Sequence, residues 1–331
     1  EPNETFETTE VRHLLSGARL ELNATGQDLQ NLRSRILEAV RSQSPLRSSK
    51  LPNEVSVEQL QQQFWWLWRC LPDIVTQADT AHLLTPASSI LPDVSIWSQA
   101  SMSAVMAGTL AGYTDTADAS GEQRPYLSVF SFTPVQELIK ASRKMRDFWA
   151  GSWVLHYLSA KVCWKLAQKY GPDSLVYPSL FQQPLIDHWL RAKWPDFSSI
   201  IEQPSSQKLL TAGFPNVIVL LLPQEKVKAA MQMARQTLNQ EWLNLGTQVF
   251  AELHGQRSWM PGLEPQNRTW EGWLKAQWQP YWTALPVGAV NADLHSPLDA
   301  SGAVSSDWQC HQNRAYNLKV NEGDRKPDGL F

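Results

Sequence analysis

Gly151-Ser152 is the step along this chain best suited to meeting a small ligand, because glycine lets another backbone or a ligand come close and the serine hydroxyl can bond a phosphate or ribose. Close packing between helices through small residues is the structural alternative. Asp147, Ser152 and His156 supply a carboxylate, a hydroxyl and an imidazole, the parts of a hydrolase. Their setting argues against one, since the local string is WAGSWV instead of a G-x-S-x-G elbow and all three fall on one predicted helix. Lys140, Arg143, Lys144 and Arg146 form a basic face that could contact phosphate or RNA, or simply be solvated. The seven histidines contain neither an HD dipeptide nor an H-x-x-x-H pair, and the three cysteines, Cys70, Cys163 and Cys310, are widely spaced. No disulfide framework or cysteine-rich zinc site is expected, and the thiols read as reduced and structural.

These groups need elements to hold them. Tyr126–Phe132 is apolar on both alternating sides, which predicts a central, doubly covered strand. Thr133-Pro134-Val135-Gln136 then predicts a helix start, with Thr133 as N-cap, Pro134 in the first turn and Gln136 closing a capping box. The helix is expected to run to about Lys169, with Val135, Leu138, Ile139, Met145 and Trp149 facing the sheet. A short strand Ser174–Tyr177, a helical insertion over 184–210, a strand Asn216–Leu222 and a helix from Gln224 to Phe250 follow. Upstream, Leu29, Leu32, Ile36 and Val40 mark a helix, and Ser56-x-x-Gln59 a capping box for a second that is expected to stop before Pro72. Ile96–Leu110 reads as a tightly packed helix. Near the end, Thr269–Trp282 predicts a Trp-bearing helix, and no closing strand is evident.

The fold class expected is therefore α+β: a mostly helical region over 1–117, a ferredoxin-like unit of β-α-β-β-α type over 126–250, and a Trp-rich helical or irregular tail over 251–331. The chain has 331 residues, net charge −3 and sixteen tryptophans. Such a charge argues against gripping nucleic acid over the whole surface and restricts any phosphate contact to local patches. Core and interface packing is the favoured use of the tryptophans over base stacking. With no long apolar run and a polar, acidic N-terminus, the expectation is a cytoplasmic protein without membrane contact. It opens on Glu1 and ends on Phe331, just after the charged stretch Gly323–Asp328, which reads as an excerpt of a longer protein.

The strand followed by PVQELI at 134–139, RDFWAGSWVL at 146–155, SLVYPSLFQQPLID at 174–187 and FPNVIVLLLP at 214–223 resembles the polymerase/cyclase-like large subunit of type III-B (Cmr) CRISPR effectors. FWWLWRCLPD at 64–73 and ILPDVSIWSQASMSAVMAGTL at 90–110 add weaker matches. The resemblance implies that 126–250 is the first palm of an antiviral, RNA-guided complex. Gly151, Ser152, Asp147 and Arg146 would line an ATP site for cyclic oligoadenylate synthesis, with Lys140, Arg143 and Lys144 near phosphate or RNA. It also implies partners: other subunits of the complex, guide and target RNA indirectly, and a second palm of the same subunit. That second palm would supply Gly-Gly-Asp-Asp and hold the divalent metal, Mg or Mn. No GGDD or GGDEF occurs in these residues, so no catalytic or metal residue is assigned here. The family often carries an N-terminal HD nuclease. Here Asp93 is kept while Val94, Ser98 and Gln99 stand where ligands are usual, so 1–117 holds at most a degenerate remnant. A catalytically silent palm, serving as a scaffold for RNA and partner subunits, explains the same absences.

Overall fold

The computed structural model describes residues 9–12, 19–22, 26–46, 55–77, 80–85, 87, 94–110, 125–256 and 268–287. The chain is α+β. Two short strands, β1 (Thr9–Arg12) and β2 (Arg19–Leu22), pair antiparallel, and helices α1 (Gly26–Gln43), α2 (Val57–Trp65), α3 (Leu71–Thr76) and α4 (Ile96–Leu110) follow. α2 begins as its sequence predicts: the Ser56 hydroxyl accepts from the Gln59 amide, and the Gln59 side chain accepts from the Ser56 amide. It does not stop before Pro72. A π-helical segment, Trp66–Cys70, joins α2 to α3, and Pro72 falls in the first turn of α3, where a missing N–H is tolerated.

A four-stranded antiparallel sheet holds the rest together. Its strands are β3 (Pro125–Thr133), β4 (Leu175–Tyr177), β5 (Val217–Pro223) and β6 (Gln279–Pro286), in spatial order β4-β5-β3-β6. β3 is central, with Phe130 opposite Ile218 on one side and Trp282 on the other. Between the strands run α5 (Gln136–Lys140), α6 (Met145–Tyr170), α7 (Pro184–Lys193), α8 (Ser206–Leu209) and α9 (Gln224–Gln256), with α10 (Arg268–Lys275) before β6. Taken with its long helices α6 and α9, the chain order is β-α-β-β-α-β.

Two expectations are corrected. The helix predicted from Pro134 to Lys169 is two helices, because Thr133 is used as the last residue of β3, opposite Gln279, and does not cap. α5 starts after Val135 without a side-chain cap, ends in backbone bonds from Ala141 and Ser142, and the extended Lys144 resets the chain into α6. The Trp-bearing helix predicted over Thr269–Trp282 ends at Lys275, and Gln279–Pro286 is the closing strand that the sequence hid. Pro280 cannot sit in a helix interior, whereas Tyr281, Trp282 and Thr283 suit an edge strand. The tail is thus not wholly helical. Residues 288–331 of that tail lie outside the described residues, and the expected helical region over 1–117 also carries the paired strands β1 and β2.

One hydrophobic core spans helices and sheet. Phe130, Phe132, Ile218, Leu220 and Leu222 are buried with Leu158, Val162 and Leu166 of α6 and Ala230, Met231 and Leu238 of α9. Trp65 and Trp66 from the upstream helices join the same cluster, with Trp65 against Trp164 and Trp194 at ring distances of 5.5 and 6.4 Å. Packing therefore accounts for these tryptophans. The other side of β3 is only partly covered, as Leu127 is 40% exposed.

Candidate functional site

The corner where α5 turns into α6 brings the predicted site residues together. Lys140 ends α5, Arg143 and Lys144 lie in the connection, and Arg146 and Asp147 occupy the first turn of α6; all are exposed. The N-cap residue of α6, Lys144, makes no side-chain cap hydrogen bond. Gly151 and Ser152 follow one turn later, half-buried. A Cβ placed on Gly151 would meet the Leu138 side chain at 4.0 Å, an ordinary contact, so Gly151 borders α5 without being forced to be glycine. Met145 and Trp149, expected to face the sheet, are instead 80% and 45% exposed.

His156 is not available for catalysis. Its Nδ1 accepts the amide protons of Gly213 and Phe214, both at 2.9 Å, which ties α6 to the turn before β5. Burial pushes its pKa down to about 4, so the ring is neutral near pH 7 and its acceptor nitrogen is occupied. With Asp147 out on the surface, no Asp-His-Ser relay forms.

A second polar constellation escaped the sequence reading. Arg69, in the π-helical segment, donates through Nε and a terminal nitrogen to both oxygens of Asp187 on α7, at 2.7 and 2.8 Å, and through its other nitrogen to Asp73. Gln182 donates to the remaining oxygen of Asp73 at 3.0 Å, and the Phe181 ring lies 5.0 Å under the guanidinium. Burial alone would weaken the Arg69 charge, but the two carboxylates more than offset it and hold the group protonated. Burial pulls the Asp187 pKa upward while Arg69 opposes the shift. Arg69, Asp73, Gln182 and Asp187 edge a cleft of about 620 Å³ with Gln43, Gln77 and Lys208. The available signal was an arginine inside an aromatic run, FWWLWRC, and an aspartate beside the apolar Leu185, Ile186 and Leu190 of α7. Each needs a buried partner.

Cys70 and Cys163 are buried free thiols, and burial pushes the Cys70 pKa up to about 12. Cys310 and Asp93 lie outside the described residues. Among the described residues no group of three or more His, Cys, Asp or Glu could hold a metal ion, and no helix is long and apolar enough to cross a membrane.

Residues 127–247, from β3 through most of α9, match the family model for the CRISPR-associated protein Cmr2, N-terminal. The CRISPR system Cmr subunit Cmr2 of Pyrococcus furiosus is 33% identical over 99 residues, which are 30% of this chain and 10% of that protein. The type III-B Cmr-β complex solved in its apo state has a chain that superposes with a TM-score of 0.54 at 18% identity, over 92% of this chain and 31% of that one. The same complex bound to cognate target RNA gives a TM-score of 0.54 at 18% identity, over 94% and 32%. At that identity the likeness is one of fold, and this chain spans about a third of the solved chains it matches. The motifs at 134–155, 174–187 and 214–223 fall inside the matched region, and that part of the chain is Cmr2-like.

Proposed function

We propose that this chain forms part of the large subunit of a type III-B CRISPR RNA-guided antiviral effector, supplying one wall of an ATP site for cyclic oligoadenylate synthesis and scaffolding the complex. In this reading β3 to β6 are a ferredoxin-like palm. The strand order β4-β5-β3-β6 with α6 and α9 as the two crossover helices supports it. The observation that carries the site is the placement of Gly151-Ser152 in the second turn of α6, one turn beyond Asp147 and the exposed Arg146 at a helix start whose N-cap residue makes no side-chain cap. ATP phosphates would meet Arg146 and the helix start, Ser152 would hydrogen-bond phosphate or ribose, and Asp147 would accept from a hydroxyl. A second palm bearing Gly-Gly-Asp-Asp would hold the Mg or Mn ions that stabilise charge in nucleotidyl transfer. Other subunits and guide and target RNA are the partners, with guide pairing reading the sequence.

The experiment is Ser152→Ala in the assembled complex. ATP affinity or oligoadenylate yield is expected to fall about tenfold, as befits one lost hydrogen bond to a charged ligand, while assembly survives. Unchanged synthesis retires the site. A second reading, a catalytically silent palm that scaffolds RNA and partner subunits, is favoured by the absence of a GGDD string anywhere in the 331 residues. It predicts no ATP-dependent product from any complex containing this subunit, with assembly intact.

A further inference from the structure

The sheet ends on β6, last in the order β4-β5-β3-β6, and no strand pairs with its outer edge among the described residues. Antiparallel neighbours alternate between pairs that exchange their backbone hydrogen bonds and pairs whose N–H and C=O groups point away from each other. The Val287 amide donates to the Pro125 carbonyl at 2.8 Å, which makes that pair one of the first kind. Counting along the register, Leu285 opposite Leu127, Thr283 opposite Val129 and Tyr281 opposite Ser131 are of that kind too. Pro280, Trp282, Ala284 and Pro286 therefore turn their backbone groups to the outer edge. The prolines have no N–H to offer, so only Trp282 and Ala284 present both a donor and an acceptor there.

Proline on an edge strand usually protects it from pairing. Here the two prolines stand three residues to either side of Thr283 and leave the stretch between them open, with Tyr281, Trp282 and Leu285 56%, 52% and 66% exposed. That window is self-complementary. Turned about a two-fold axis through Thr283, a second β6 sets its Ala284 opposite Trp282 and its Trp282 opposite Ala284, so that each pair exchanges both backbone bonds and the prolines meet only one another. Side chains match in the same register: Trp282 falls beside the small Ala284, Tyr281 beside Leu285, and Thr283 beside Thr283, the last two pairs on the sheet face that carries the exposed Leu127. An unrelated strand would need this spacing by chance, whereas a second copy carries it by symmetry.

We propose that the outer edge of β6 pairs with β6 of a second copy of this chain, antiparallel and two-fold about Thr283, joining two four-stranded sheets into one. Each copy uses the same edge, so the assembly closes at a dimer. The opposite edge does not extend it, since β4 is only the three residues Leu175–Tyr177 and Pro178 follows directly. This inference rests on β6 alone and depends neither on the effector reading nor on Gly151 and Ser152.

The test is sedimentation equilibrium of the full chain over a concentration series, with circular dichroism as a check on folding. Thr283→Lys and Thr283→Glu each set like charges face to face on the two-fold axis, at an exposed position, and Ala284→Pro removes an outward N–H without touching the ladder to β3. The unmodified chain is expected to associate to a dimer and no further. Each variant should weaken that dimer about tenfold or more. An equimolar mixture of Thr283→Lys and Thr283→Glu, one of them carrying a fluorophore, should recover the dimer as a mixed pair, which loss of folding could not do. A chain that stays monomeric throughout the micromolar range overturns the proposal, as does a dimer that none of the three variants weakens. Failure of the two charge variants to rejoin overturns the two-fold register about Thr283, and the proposal with it. Association of the edge with a different subunit, lost in Ala284→Pro while the unmodified chain is monomeric, assigns β6 to an unlike partner and overturns the second copy.

Discussion

Two glycines on α6 and its end show how differently one residue type is constrained. Gly171 closes α6 at φ +96°, where a side chain is strained, and a Cβ there would collide with the Asp173 carboxylate. Gly151 lies in the helix interior at ordinary backbone angles, and a Cβ would only touch Leu138. Gly151→Ala is therefore expected to leave stability unchanged or raise it by up to about 1 kcal/mol through helix propensity. Gly171→Ala should lower it by about 2 kcal/mol, from the left-handed backbone and the clash together. Thermal unfolding of the two variants checks both signs. Because Gly151→Ala spares the fold, any loss of ATP affinity it causes in the assembled complex reports on the ligand site and not on packing. Destabilisation by Gly151→Ala would instead mean that α5 sits closer to α6 than a methyl group allows.

At the scale of elements, the Arg69–Asp187 pair fixes the π-helical segment to α7, joining the upstream helices to the insertion between β4 and β5. Both groups are buried, Arg69 at 3% and Asp187 at 7% exposure. Removing one partner strands the other charge, so Asp187→Leu should cost about 3–5 kcal/mol. Arg69→Met/Asp187→Leu should recover most of that loss, since an apolar pair of similar volume is often neutral. Urea unfolding of both variants measures this, and a double variant no better than the single one would mean that the pair is held by the surrounding packing. Nothing in local periodicity announces such a bond, because its partners are 118 residues apart. The same limit governed the rest of the fold. The capping box at Ser56, the span of α4 and the strands β3 and β5 were legible because they rest on local spacing. β6 was not, because Trp278 and Trp282 fall at helical spacing with Trp270 and Leu274, and only pairing with β3 makes Gln279–Pro286 a strand. The basic residues at 140–146 were legible as a group. Their position across a helix break was not, since Thr133 could equally cap a helix or end a strand.

Over the whole molecule, two buried titrating groups pull stability in opposite directions as the pH falls. His156 is held down to about 4 by burial. Between its unfolded value of about 6.5 and 4 the unfolded chain binds a proton there and the folded chain does not, so its contribution is complete above about 6.5 and is lost on acidification. Asp173, at the end of α6, is pushed up to about 6, chiefly by burial and against the backbone hydrogen bonds it receives. Between about 6 and its unfolded value near 4 the folded chain binds the extra proton, so this group favours folding at lower pH and that contribution disappears as the pH rises through 6. Across pH 6 to 4 the two oppose each other, each worth up to about 3 kcal/mol by its shift. Asp173→Asn removes only the second. Its stability should therefore fall more steeply than that of the unmodified chain between pH 6 and 4, with the two curves diverging by about 2–3 kcal/mol. Denaturant unfolding at a series of pH values reads this directly. Parallel curves would mean that Asp173 is ionised in the folded chain throughout that range, held so by the amide groups of Asp173 and Ser174 in spite of its burial.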